Sequence, residues 1–165
     1  MKKNFFILIL IALMIWSLLI ITSNPKIKSE IFLISKGYKL LSESDENYPT
    51  FLRNKNANHI SIKLNSQNVE PICNKNEYDK LMKLQNPDIK KYVDANIDVY
   101  IFPISNHPLE KKLKKEKPTS VLISVFISDN KIIGGISVPL YNGEMKMGEE
   151  FYSLDGNTLE ESIDN

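Results

Sequence analysis

Residues 120 to 139, SVLISVFISDNKIIGGISVP, commit the chain to an antiparallel sheet. Val121, Ile123, Val125 and Ile127 alternate along one face of an extended segment, while Leu122 and Phe126 alternate with serines along the other. A strand apolar on both sides must be covered on both sides or lie in the middle of its sheet. Asp129-Asn130 is a turn pair compatible with positive φ, and the returning strand is expected over Lys131 to Val138. Gly134 and Gly135 interrupt that strand. A phosphate-cradling loop sets its glycines between a strand and a helix N-terminus, because the helix dipole and free N–H groups do the binding. Here Ile136-Ser137-Val138-Pro139 follows and continues as strand. Glycine inside a strand more often marks a bulge, a sharp twist or the close approach of a packed helix. Two readings stay open: a bend in the sheet, or a ligand contact made by Gly134, Gly135 and nearby Tyr141.

The rest of the chain supplies partners for this hairpin. Ile27, Ile31, Phe32 and Ile34 recur at near-helical spacing, and Gly37 offers a stop, so a helix continuing from the preceding segment is expected there. Tyr38 to Ser42 reads as a short strand and SESDENYP as polar turns; His59 to Leu64 alternates strictly and predicts a half-buried strand. Asn74-Lys75-Asn76-Glu77 has the form of a capping box, so a helix broken at Asn86-Pro87 is expected over about 75 to 94. Ile97 to Ile104 is strand-like, although Pro103 lacks an N–H and belongs at an edge or an end. Phe151 to Leu154 predicts a short strand, Asp155-Gly156-Asn157 a turn, and Asn157 a cap for a last helical turn over Thr158 to Ile163.

Ahead of this body, Phe5 to Ile21 runs seventeen residues without a charge behind Lys2 and Lys3. At the helical rise that is about 26 Å, close to the thickness of a hydrocarbon core. A transmembrane signal anchor over residues 1–24 is therefore expected, followed by an extracytoplasmic domain over 25–165. The apolar run is longer than that of a cleaved signal, and Ile21-Thr22-Ser23 is a poor cleavage site, although secretion after cleavage is the alternative. The lysines before the run favour N-in, C-out, single-pass insertion in the cell membrane, with lipid the partner of Phe5–Ile21. The only cysteine, Cys73, precludes an intrachain disulfide and lies too far along the chain for a lipoprotein attachment; it reads as an inert thiol.

Charge is unevenly spread. Residues 25 to 140 hold 18 basic and 13 acidic side chains, and residues 141 to 165 hold 1 basic and 7 acidic. This modest basic excess falls short of the dense stripe that nucleic-acid binding needs, so nucleic acid is set aside. The lysine run 111 to 117 could touch an anionic surface, though such a run is more often a solvated loop. Histidine supply limits catalysis: only His59 and His107 are present, the first expected at the solvent-facing start of a strand and the second in a loop. Neither has a ligand at metal spacing, no GxSxG or HExxH occurs, and Ser105 and His107 are merely neighbours in sequence. Glu149, Glu150, Glu160 and Glu161 read as solvated carboxylates, and Asp155 to Glu160 lacks the ligand alternation of a calcium loop. No catalytic residue, metal ligand or cofactor is expected.

The succession DANIDVYIFPISNHPL, VLISVFISDNKIIGGISVP and FYSLDGNTLEE resembles small exported or membrane-tethered bacterial proteins of uncharacterised function. The order of helix then strands, met twice, is similar to PepSY-like modules by fold-level analogy. Pattern and resemblance lead to an α+β domain: an antiparallel sheet of four or five strands against one or two helices, behind a transmembrane helix. The function expected is a noncatalytic binding module of the bacterial envelope with an envelope protein as partner. A small-ligand or envelope-polymer binder is the alternative, and a hydrolase ranks below both.

Overall fold

The structure, a computed structural model, describes residues 7, 9–11, 13, 14, 16, 23–53, 58–63, 91–92, 95–146, 150–158 and 160–161. Its elements are α1 (Pro25–Ser35), β1 (Lys39–Leu40), a 3-10 turn (Thr50–Arg53), β2 (His59–Lys63), β3 (Asn96–Ser105), α2 (Leu109–Lys112), β4 (Ser120–Ser128), β5 (Lys131–Leu140) and β6 (Tyr152–Ser153). They form one six-stranded antiparallel sheet in the order β1-β3-β4-β5-β6, with β2 sharing the β1 edge of β3. The α+β class stands. The strand count exceeds the expected four or five because two short strands, β1 and β2, divide one edge between them.

That division explains the proline. β1 pairs with Ile104 and Ser105, β2 pairs with residues 96 to 100, and Pro103 sits in the gap between the two. Its carbonyl accepts from the Leu41 N–H at 2.9 Å, so Leu41, just beyond β1, stands opposite it, and the second bond of that pair is the one its missing donor forgoes. An interior strand thus carries a proline where its pairing with β1 stops, and not at the edge or end position expected.

The hairpin forms as its turn pair dictates, with φ of 47° at Asp129 and 59° at Asn130 and Ser128 paired to Lys131. β5 runs two residues further than expected and includes Pro139. That residue is set beside Leu140, whose carbonyl faces β4 and accepts from Thr119 N at 2.8 Å, so the ring nitrogen faces the outer edge.

Each face of β4 is covered, as its double apolar pattern requires. Val121, Ile123, Val125 and Ile127 pack with Phe102, Ile104, Leu33 of α1, Tyr38 and Leu109 of α2. On the other face Phe126 joins Ile97, Val99, Ile133 and Ile136, while Leu122 meets Leu140, Tyr48 and Leu52 of the 3-10 turn. Tyr92, within the broken helix expected over 75 to 94, packs on this second face; most of that helix, and Cys73, lie outside the described residues.

α1 is a separate helix and not a continuation of the apolar segment. Asn24 leaves helical geometry at φ −78° and ψ 116°, its side chain accepts from the N–H groups of Lys26 and Ile27, and Pro25 occupies the first turn. The helix ends on a Schellman turn: Gly37, at φ +84°, donates to Ile34 O, and Tyr38 donates to Leu33 O. The buried residues of α1 are Ser29 and Leu33, whereas Ile31 and Ile34 are 52% and 58% exposed. Most of the span expected over Phe5–Ile21 lies outside the described residues; among those described, no helix is long and apolar enough to cross a membrane.

Candidate functional site

Among the described residues, the polar side chains that could do chemistry collect in two places. The first is the loop after β6, which closes over the end of α1 and over α2. Asn106 takes φ 65° and turns the chain inward ahead of Pro108, so that His107 is buried at 1% exposure. Its Nδ1 accepts from the Leu109 N–H at 3.2 Å, which leaves Nε2–H to donate to the Leu154 carbonyl at 3.0 Å. The same carbonyl accepts from the Tyr38 hydroxyl at 3.1 Å, and the Tyr38 and His107 rings meet at 4.9 Å. Burial holds the His107 pKa below its usual value, against the smaller opposing pull of its bond to Leu154 and of Asp155. Burial, then the charge of Asp155, raises that of Tyr38.

Lysines tie the loop down from outside. Lys36 Nζ lies 2.6 Å from Asp155 Oδ1. Lys112 Nζ, from the lysine run, donates to Gly156 O, Asn157 Oδ1 and Glu161 Oε2 at 2.9 to 3.2 Å. The loop itself turns on Gly156 at φ +76°, where an added Cβ would stand 3.1 Å from the His107 ring. Ser153 Oγ accepts from the N–H groups of Asp155 and Asn157. Thr158 and Glu161 bond reciprocally as a capping box, so the cap of the last turn is Thr158 and not Asn157. Glu161 is held below the usual carboxylate range chiefly by its bond from Lys112.

The second cluster lies on the β2–β3 rim. His59 opens β2 opposite Tyr100 and stacks on its ring at 4.5 Å, and Ser61 stands opposite Asp98. Asp98 Oδ1 accepts from Ser61 Oγ at 2.5 Å and from His59 Nε2 at 3.1 Å. The Ser61 bond is the main cause of the lowered Asp98 pKa. A serine nucleophile has to give its proton to imidazole while the carboxylate orients the far ring nitrogen. Here serine and imidazole instead share one carboxylate oxygen, and the arrangement is a hydrogen-bonded surface patch.

The sequence-predicted contacts Gly134, Gly135 and Tyr141 are strung along β5 and its end. Six residue steps along the strand, about 20 Å, lead from Gly135 to Tyr141. Gly134 pairs with Phe126 and Gly135 with Val125, and the register slips between Phe126 and Ile127 so that Ile133 is an extra, bulged residue. A Cβ at Gly135 would stand 2.3 Å from Ser124 O and 2.6 Å from Leu154 Cδ2. The close approach there is made by the neighbouring strand and a side chain of the β6 loop. Tyr141 bridges to Glu144 across a tight turn at Asn142 and Gly143, and Lys146 sits over its ring at 4.3 Å. Among the described residues no group of three or more His, Cys, Asp or Glu could hold a metal ion.

The structure thus defines an antiparallel α+β domain whose C-terminal loop is locked over one face of the sheet. Neither a family model, nor a curated protein, nor a solved structure matches the chain.

Proposed function

We propose that the chain is a membrane-anchored module of a bacterial cell envelope, presenting a binding surface outside the cytoplasmic membrane with its lysine-bearing start inside. The observation that carries this reading is the uncharged run Phe5–Ile21 behind Lys2 and Lys3. Its described residues, Ile7, Ile9, Leu10, Ile11, Leu13, Met14 and Trp16, are helical and leave between 42% and 65% of their surface uncovered. An apolar surface of that extent calls for a nonaqueous partner. Binding, as against catalysis, is supported by how the two imidazoles are engaged: both nitrogens of His107 are committed to backbone groups, and His59 shares its carboxylate with Ser61.

Fractionation of the full chain in a bacterial host tests the anchoring. The protein is expected in the membrane pellet, resistant to alkaline carbonate, with its body digested by protease added to intact spheroplasts. Recovery of intact chain from the cytosol overturns it. Mild crosslinking of the anchored chain is expected to give a discrete adduct with an envelope protein, and failure to find one above background removes the interaction reading.

A further inference from the structure

α1 is apolar on the side it should least need to be. Taking 100° per residue, Ile27, Ile31 and Ile34 fall within about 60° of one another, on the flank opposite Ser29 and Leu33. Ser29 and Leu33 face the sheet; Ile31 and Ile34 face outward, more than half exposed, and Ile27 is half-buried. A helix that packs on one side and keeps an isoleucine stripe on the other has a second partner. Connectivity says where that partner lies. Asn24, in extended geometry, and Pro25 break the helical path within four residues of Ile21, so α1 begins anew within a few residues of the end of the apolar run. With that run in a bilayer, the start of α1 is confined to the headgroup region. Lys26 and Lys39, exposed at or beyond its two ends, suit a phosphate-rich surface.

We propose that α1 lies along the outer surface of the bilayer that holds the anchor, its Ile27–Ile31–Ile34 stripe seated at the boundary of headgroups and acyl chains. The sheet then stands on the helix, away from lipid. This rests on the anchored reading above, and the experiment separates the two. The full chain carrying Cys73→Ser is given a single cysteine by Ile31→Cys, Ile34→Cys or Thr50→Cys, labelled with an environment-sensitive nitrobenzoxadiazole and reconstituted in phosphatidylcholine–phosphatidylglycerol vesicles. Thr50 is exposed in the turn whose Leu52 packs on the opposite face of the sheet, so its label reports the far side. Labels at 31 and 34 are expected to shift to the blue and to be quenched at least twofold by acyl-brominated lipid, and the label at 50 to remain as in water. If the chain floats with the vesicles while 31 and 34 behave like 50, the surface assignment is overturned and the anchor stands. If the chain does not float with them, the anchor fails and the assignment with it.

Discussion

His107 has no spare hydrogen-bonding capacity. Nδ1 already accepts from Leu109 N–H, so a proton placed there would face another donor, and Nε2–H is engaged by Leu154 O. The charged groups around it are Asp155 and Lys112, with Glu110 accepting from the His107 backbone N–H and Tyr38 covering the ring. Because the native pKa is lowered, the unfolded chain binds the proton more readily in the window between that value and about 6.5. The contribution of His107 to stability is therefore complete above about pH 6.5 and is lost as pH falls toward the native pKa. Urea unfolding of the wild type should weaken progressively on acidification below about 6.5, and His107→Gln, which cannot charge, should show a flatter profile there. Parallel profiles would mean that the ring is not buried in its neutral form. The burial itself was not legible in the sequence, where His107-Pro108 reads as loop; the signal lay in Asn106, a residue that takes the left-handed backbone needed to turn the histidine inward.

At the scale of elements, local chemistry was the readable part. Asp129-Asn130 predicted the hairpin, and Gly37 the helix stop, because both signals act within a few residues. What failed depends on residues far apart in sequence. The spacing of Ile27, Ile31, Phe32 and Ile34 marked the apolar positions, yet of these only Phe32 packs against the core beside Leu33, since the Schellman turn brings Tyr38 and Leu33 together and fixes the rotation of α1. Pro103 was misplaced because nothing local announces that two short strands will share an edge. The close packing at Gly135 is likewise made by distant residues, through the Ser124 carbonyl and Leu154. The Ser124 contact is with backbone and cannot swing aside, so Gly135→Ala should lower stability by about 3 kcal/mol, the upper range for overpacking, read as a drop in the denaturant midpoint at unchanged slope. An unchanged midpoint would place Leu154 and the bulge elsewhere.

For the whole molecule the question is what keeps the acidic C-terminal segment on the basic body. Lys36–Asp155 and Lys112–Glu161 cross between them, but these side chains are 29% to 57% exposed, and ion pairs in such positions contribute little. The apolar contacts reach further: Tyr152 is 8% exposed, Leu154 packs against the same cluster as Leu33 and Val125, and the Leu154 carbonyl closes over Tyr38 and His107. Burial therefore outweighs charge in holding the segment, and the segment should open as a unit before the sheet does. Native-state hydrogen exchange reads this through the amides of Gly156 and Asn157, bonded to Ser153, set against those of β3 and β4. The first pair should exchange through a smaller opening than the strand amides. Raising salt to about 1 M, where charges are screened beyond about 3 Å, should change it little. Leu154→Ala should lower the opening free energy by about 1–2 kcal/mol, the transfer value of a half-buried leucine. Salt loosening the segment more than Leu154→Ala would show that the charges hold it after all.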